Sequence, residues 1–347
     1  MIGPRVLNRT LLRRQHLLER ASTAAVELVE HLVGLQAQAT EPPYIGLWSR
    51  RSGFEADELS ALLESRRASR IVLMRGTLHL VSAADCLGLR PLLQDMLERQ
   101  MRGTEFFGHC ADIPRDELRR AARAALGPEP VGVKLLGEAL AERFPGHRAG
   151  HLANTARILL PLVQAPPRGV WRHTGGPAYV HAEDWHGVVA RGYTPPEVIR
   201  RYVGAFGPAT AADVTTWSGL AEVGPVLEAM GDELVRYTAE DGRTLFDVEG
   251  LPLADPDEPA PVRLLGTYDN LWLSHADRTR IAEPQKRQRW MGRNGGTANT
   301  VFVDGMLEGL WRRQDGRVTL ELFRDLTRAE RGELDAEVAA LEEFLAS

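Results

Sequence analysis

Lysine is all but absent from this 347-residue chain: Lys134 and Lys286 stand alone among 42 basic residues. The positive charge is therefore guanidinium, which grips phosphate through paired hydrogen bonds, although a GC-rich coding sequence gives the same bias. Cysteine is as scarce. Cys86 and Cys110 cannot form a disulfide framework and have no partners at metal-ligand spacing, so a reducing cytoplasm is expected. No apolar run approaches the length of a membrane helix, and none is expected. Met1 to Arg5 lead into no long apolar segment, so no secretory signal is expected. There is no Walker loop, and the pairs Gly175-Gly176 and Gly295-Gly296 sit in turns rather than between strand and helix. No Gly-x-Ser-x-Gly elbow appears. His147 and His151 are four apart, but no glutamate follows His147 as a zincin requires, so neither metal nor cofactor is expected. His79 and His275 read as packed or capping side chains.

What is present is ordinary globular composition, 44% hydrophobic and 26% charged, in a chain long enough for two to four compact units. The net charge of −5 taken alone argues against nucleic acid, but the charges are segregated. Segments 213–258 and 321–343 are acidic. Arg5, Arg9, Arg13, Arg14 and Arg20 crowd the start, and Arg278, Arg280, Lys286, Arg287, Arg289 and Arg293 crowd one later stretch. The later cluster, together with part of the N-terminal set, is expected to face one groove, with the acidic segments on the outer face.

Apolar periodicity predicts helices over 5–20, 23–34, 42–51 and 55–67. Two short strands follow, 71–75 and 77–81, around Gly76. Helices and then a hairpin outline a winged helix. The outline returns with helices over 115–126, 134–142 and 151–163, then strands over 169–173 and 178–181 whose basic tip, Arg168 to His173, reads as a wing. It returns again with helices over 195–206, 211–220 and 222–230 and strands over 234–237 and 244–248, joined at Asp241-Gly242. Beyond a Pro- and Asp-rich linker, strands over 262–267, 300–303, 306–312 and 317–322 suggest a barrel-like unit closed by a helix over 328–346. The long loop from 280 to 300 reads as functional or disordered. The expected class is α+β: three tandem winged helix-turn-helix units over 1–105, 106–190 and 191–255, then a C-terminal β unit over 256–347.

The chain is organised around Leu35-Gln36-Ala37-Gln38-Ala39, between an apolar helix ending near Gly34 and a helix opened by Pro42-Pro43. On an extended connector, residues two apart point the same way, so Gln36 and Gln38 would present two primary amides to one space. Capping of helix ends is the other reading of the pair. Tyr44 and Trp48, one turn apart, read as core. Glu41 reads as a cap of the next helix or a helper at the site.

Tandem winged helices with arginine patches point to duplex DNA. Several further stretches carry a resemblance: Gly34-Leu35-Gln36-Ala37-Gln38, Met74-Arg75-Gly76-Thr77-Leu78-His79-Leu80, Arg201-Tyr202, Ala205-Phe206-Gly207-Pro208-Ala209-Thr210, Trp217, Leu264-Leu265-Gly266-Thr267-Tyr268-Asp269, Asp277-Arg278-Thr279-Arg280, Val303-Asp304-Gly305 and Trp311-Arg312. Together they resemble the winged-helix DNA glycosylases of the AlkZ type. The second glutamine, where the YcaQ branch has aspartate, places the likeness in the AlkZ branch. The resemblance implies monofunctional excision of bulky, cationic N7-alkylguanine adducts, including crosslinks made by genotoxic antibiotics, in repair or self-resistance. Gln36 and Gln38 match the family's catalytic pair, and no cofactor is implied. Duplex DNA carrying alkylated guanine is the expected partner of a monomer. Arg75, Arg168, Arg172, Arg278, Arg280, Lys286, Arg287, Arg289 and Arg293 are the expected DNA contacts, with Trp290 either a wedge against the strand or an anchor for its loop. The alternatives are a winged-helix transcriptional regulator and a non-catalytic lesion-binding protein.

Overall fold

The computed structural model describes residues 1–291 and 298–347. Arg293 and the Gly295-Gly296 turn lie outside the described residues. The architecture is α+β. Among the described residues twelve strands form three sheets, paired antiparallel throughout. The strands are β1 (Leu35–Gln36), β2 (Ala68–Val72), β3 (Leu78–Ser82), β4 (Val131–Gly132), β5 (Leu162–Gln164), β6 (Ala178–His181), β7 (Leu234–Thr238), β8 (Thr244–Val248), β9 (Arg263–Leu265), β10 (Asn299–Val303), β11 (Met306–Gln314) and β12 (Arg317–Leu322). No described helix is long and apolar enough to cross a membrane.

The largest sheet runs β1-β3-β2-β5-β6-β4. Its first hairpin, β2–β3, turns at Arg75 and Gly76, both at positive φ (58° and 68°). The second hairpin joins the first edge to edge, with Arg70 opposite Gln164 and Ile71 opposite Val163. It is not built from 169–173. Pro161 forces Leu160 into extended backbone (φ −117°, ψ 148°), because the residue before a proline is disfavoured in the helical region. The helix Ala149–Leu159 therefore stops early, and Leu162-Val163-Gln164 becomes the strand. Residues 168–173 form turns instead of a wing strand, with Val170 N–H bonded to the Pro167 carbonyl at 3.1 Å and His173 N–H to the Val170 carbonyl at 3.1 Å. The third hairpin, β7–β8, forms a two-stranded sheet of its own.

The C-terminal strands make an open sheet, β12-β11-β10-β9, rather than a barrel. The closing helix Arg328–Ala346 buries Leu334, Leu341 and Leu345 in a core shared with this sheet and sets Phe344 against Trp48, Phe54 and Trp171, after a capping box in which Thr327 and Glu330 bond reciprocally. The stretch expected to be a loop contains the helix Pro284–Met291. Trp290 is buried there, stacked on the fully buried Trp272 with ring centroids 3.9 Å apart.

The basic N-terminus is tied into internal ion pairs. Helix Pro4–Arg14 is clamped to distant carboxylates: Arg5 and Arg9 to Asp304, Arg13 to Glu258, and Arg14 to the buried Asp247 at 2.6 Å. Arg20 holds Glu337 at 2.7 Å. The acidic segments supply Asp247, Glu258 and Glu337 of those partners; Asp247, Asp213 and Glu337 are buried, while most of the other carboxylates of the two segments are exposed.

Candidate active site and DNA-facing surface

The helix Ala25–His31 ends in two left-handed residues, Val33 (φ 52°) and Gly34 (φ 92°). A side chain on Gly34 would lie 2.7 Å from Val81 and 3.0 Å from the Leu80 carbonyl, so the chain turns here only because glycine is present. It then enters β1 on the edge of β3, with Gln36 opposite His79. Ala37 N–H donates to the Leu78 carbonyl at 2.7 Å, and the Ala37 carbonyl accepts from Arg70 at 2.7 Å. Arg70, desolvated and pushed down to about 10, is itself held by Gln164, whose amide donates to the Tyr179 hydroxyl at 3.2 Å. The loop between the glutamines is thus fixed to both hairpins of the large sheet.

Both amides attach to one segment, residues 75–79. Buried Gln36 accepts at its Oε1 from Arg75 Nη2 at 3.2 Å, and exposed Gln38 accepts at its Oε1 from Leu78 N–H at 3.2 Å. Neither caps a helix. His79 Nδ1 bonds the Thr77 carbonyl at 3.0 Å, so it carries the proton there, and Nε2 accepts from Arg75 Nη2 at 3.1 Å. Burial, then the Arg75 charge, pushes His79 down to about 3, leaving it neutral. Arg75 Nη1 donates to the Trp217 carbonyl at 2.8 Å, and desolvation followed by the Arg278 charge pushes Arg75 down to about 10.

The structure sorts the other expected contacts. Arg75, Arg278 and Arg287 stay together: Arg278 depresses Arg75, and Arg287 depresses Arg278 after desolvation. None of the three makes an ion pair with a described residue. Arg280 is a correction. It is buried, bonded to the Pro208 carbonyl at 3.2 Å, and out of reach of a phosphate. Lys286 is held between Glu283 at 3.1 Å and Glu308 at 2.8 Å, and Arg289 pairs with Glu321 at 2.8 Å while lying 3.8 Å over the Phe323 ring. Both cations are neutralised within the protein. Trp290 is an anchor and not a wedge, because stacking on Trp272 leaves its ring no free face to insert.

Arg168 donates to the Gly175 carbonyl at 3.0 Å, and exposed Arg172 to the Leu345 carbonyl at 2.8 Å. Arg172 borders a cavity of about 210 Å³ that begins two residues beyond Gln38, lined by Thr40, Glu41, Tyr44, Trp171 and Arg313 among others. Glu41 makes no capping bond and sits 3.9 Å from Arg313. Tyr44 is buried and donates to the Gly169 carbonyl at 2.7 Å, and Trp48 is buried too, so both belong to the core. His275 is buried and bonded to the Phe206 carbonyl at 3.1 Å. His147 bonds Asp112 at 3.0 Å, whereas His151 lies with Glu105 and His109, ligand atoms within 4.8 Å of one another. Arg70, Trp171 and Arg313 had no signal in the sequence.

A family model described as "DNA glycosylase AlkZ-like" matches residues 29–344, nearly the whole chain. The chain belongs to the AlkZ-like DNA glycosylases. It is an enzyme acting on N-glycosidic bonds, and DNA is its substrate. An AlkZ-like relative, the interstrand DNA cross-link repair glycosylase of Streptomyces sahachiroi, is 26% identical over 340 residues, covering 91% of this chain and 90% of its own. The solved structure of the Streptomyces sahachiroi DNA glycosylase AlkZ superposes with a TM-score of 0.84 at 20% identity, covering 99% of this chain and 97% of that one.

Proposed function

We propose that this glycosylase excises cationic N7-alkylguanine from duplex DNA by monofunctional hydrolysis, with Gln36 and Gln38 as the catalytic pair. The observation that carries the reading is the pair itself: two amides fixed on one hairpin beside a histidine held neutral. Such a site has no carboxylate base on its hairpin, and none is needed. Alkylation at N7 makes the base a cation. When the C1′–N9 bond breaks, its electron pair passes to N9 and neutralises the departing base. Water adds to the oxocarbenium-like C1′ and loses its proton to solvent, leaving an abasic site. Amides contribute by orienting the water and aiming carbonyl oxygens at the developing positive charge. Each carbonyl oxygen has a second lone pair beside the one engaged in the structure.

The three helix–hairpin arrangements serve as winged-helix units over 1–105, 106–190 and 191–255 of a DNA-binding monomer, followed by the β unit over 256–347. Arg75, Arg278 and Arg287 meet the phosphates. The likeness to an interstrand cross-link repair glycosylase supports extending the reading to unhooking of interstrand crosslinks, where a bulky adduct reacts in an open site without full base flipping. The test compares matched duplexes carrying one N7-methylguanine or one hypoxanthine, a neutral leaving base. Release of the cationic base alone is the expected result. Equal release of both would mean that a general acid operates here, and tight binding of one sequence without any release would favour the regulator.

A further inference from the structure

Arg75 is the cation that bonds a proposed catalytic amide. Its guanidinium is half-buried and meets only neutral acceptors: the Trp217 carbonyl at 2.8 Å, Gln36 Oε1 at 3.2 Å and His79 Nε2 at 3.1 Å. Arg9, Arg14 and Arg50, more deeply buried, each hold a carboxylate, whereas buried Arg70, like Arg75, meets only neutral acceptors among the described residues. Its backbone lies in the left-handed region (φ 58°, ψ 16°), an unfavourable place for a side chain, and it occupies the tip of a hairpin. So a cation on strained backbone, with no counter-ion among the described residues, is held against the carbonyl of one proposed catalytic amide.

That arrangement opposes the reaction. The Gln36 carbonyl should face a developing positive charge at C1′, yet it is engaged by a permanent cation that repels such a charge. A phosphodiester resolves the conflict. It supplies the missing anion, and a guanidinium bonds more strongly to phosphate than to a neutral amide or imidazole. Arg278, also without a carboxylate partner among the described residues, adds to the pull on the same anion.

Resting on the glycosylase reading above, we propose that Arg75 is a phosphate-operated latch. A phosphodiester flanking the damaged nucleotide takes Arg75, neutralises it and releases the Gln36 carbonyl toward C1′. Excision is thereby tied to the DNA backbone, and a free N7-alkylated nucleoside leaves the latch closed.

The test is a scan with methylphosphonate, an uncharged phosphate analogue, placed singly at each phosphate flanking one N7-methylguanine in a duplex. Base release is measured under single-turnover conditions at saturating enzyme, so that binding drops out. One position should lower the rate at least about tenfold, the loss of one charge-assisted hydrogen bond. With Arg75→Gln no cation holds the Gln36 carbonyl, so the same methylphosphonate should have no further effect and a free N7-methylguanosine, left intact by the wild type, should lose its base, while Arg75→Lys should keep part of the methylphosphonate effect. Wild-type release that is insensitive at every flanking position overturns the latch and leaves the glycosylase reading standing. A methylphosphonate effect of the same size in Arg75→Gln overturns it too. Absence of release from the native duplex would instead sink the reading beneath it. The scan on wild-type protein decides the question even if the variants fold poorly.

Discussion

Gln38→Ala separates chemistry from stability better than any other change at the site. Gln38 is exposed, and its one bond in the fold is the 3.2 Å contact with Leu78 N–H. Losing it costs about 0.5–1.5 kcal/mol. At roughly 2–4 °C per kcal/mol, the melting temperature should fall by no more than about 6 °C. The rate should fall far more. Removing one preorganised dipole aimed at a developing charge typically costs about 10²–10³ in the chemical step. Duplex affinity and its salt dependence should be unchanged, because an uncharged side chain displaces no counter-ions. The assay is alkali cleavage at the abasic site in a duplex with one N7-methylguanine, with enzyme in excess. Gln36→Ala is less clean, since it also strips the half-buried Arg75 guanidinium of an acceptor. A Gln38→Ala rate within about twofold of wild type, with the fold intact, would refute the reasoning.

Because His79 is neutral and no carboxylate sits on its hairpin, the single-turnover rate should be flat from about pH 5.5 to 8.5; a limb near neutrality would reveal a general base. Burial brings His16 to about 4 and His79 and His275 to about 3 from an ordinary value of 6.5. These folded values are depressed, so the stability tied to the neutral rings is full above pH 6.5 and is lost as the pH falls toward 4 and then 3. The melting temperature should accordingly drop on acidification, and a rise would contradict those assignments. Arg287→Ala should flatten the log–log salt dependence of duplex binding by about one unit, whereas Arg289→Ala, already paired with Glu321, should leave it unchanged. Trp290→Ala should destabilise the fold by about 3–5 kcal/mol without selectively weakening binding to damaged duplex, since the ring packs on Trp272.

Local signals carried much of this fold. The β7–β8 hairpin lies where Asp241-Gly242 placed its turn, and the closing helix where its apolar spacing and Thr327-x-x-Glu330 cap placed it. The glutamine connector followed from Gly34 and the proline pair. The second hairpin was illegible because Pro161 cut an apolar helical pattern that otherwise runs on to Val163. Charge was misleading for a different reason. Arg9 and Asp304 are 295 residues apart in the chain, and Arg14 and Asp247 are 233 apart, so clusters that look unbalanced along the sequence are neutral in space. The stretch 278–291 mixes free and buried cations for the same reason. Only the fold shows that Arg75 and Arg278 keep their charge near Gln36 while Arg280 is sealed inside.

Hydrolytic release of an alkylated guanine by the Gln36–Gln38 site is read most directly from the released base itself. Purified wild-type protein and the Gln36→Ala/Gln38→Ala double variant, both shown to bind the duplex, should be incubated with DNA bearing one N7-methylguanine, and the soluble fraction analysed by mass spectrometry for free N7-methylguanine. The account expects free base from the wild type, one abasic site for each base released, and none above the spontaneous background from the double variant. Equal release by both proteins, or binding by the wild type with no release at all, would contradict it.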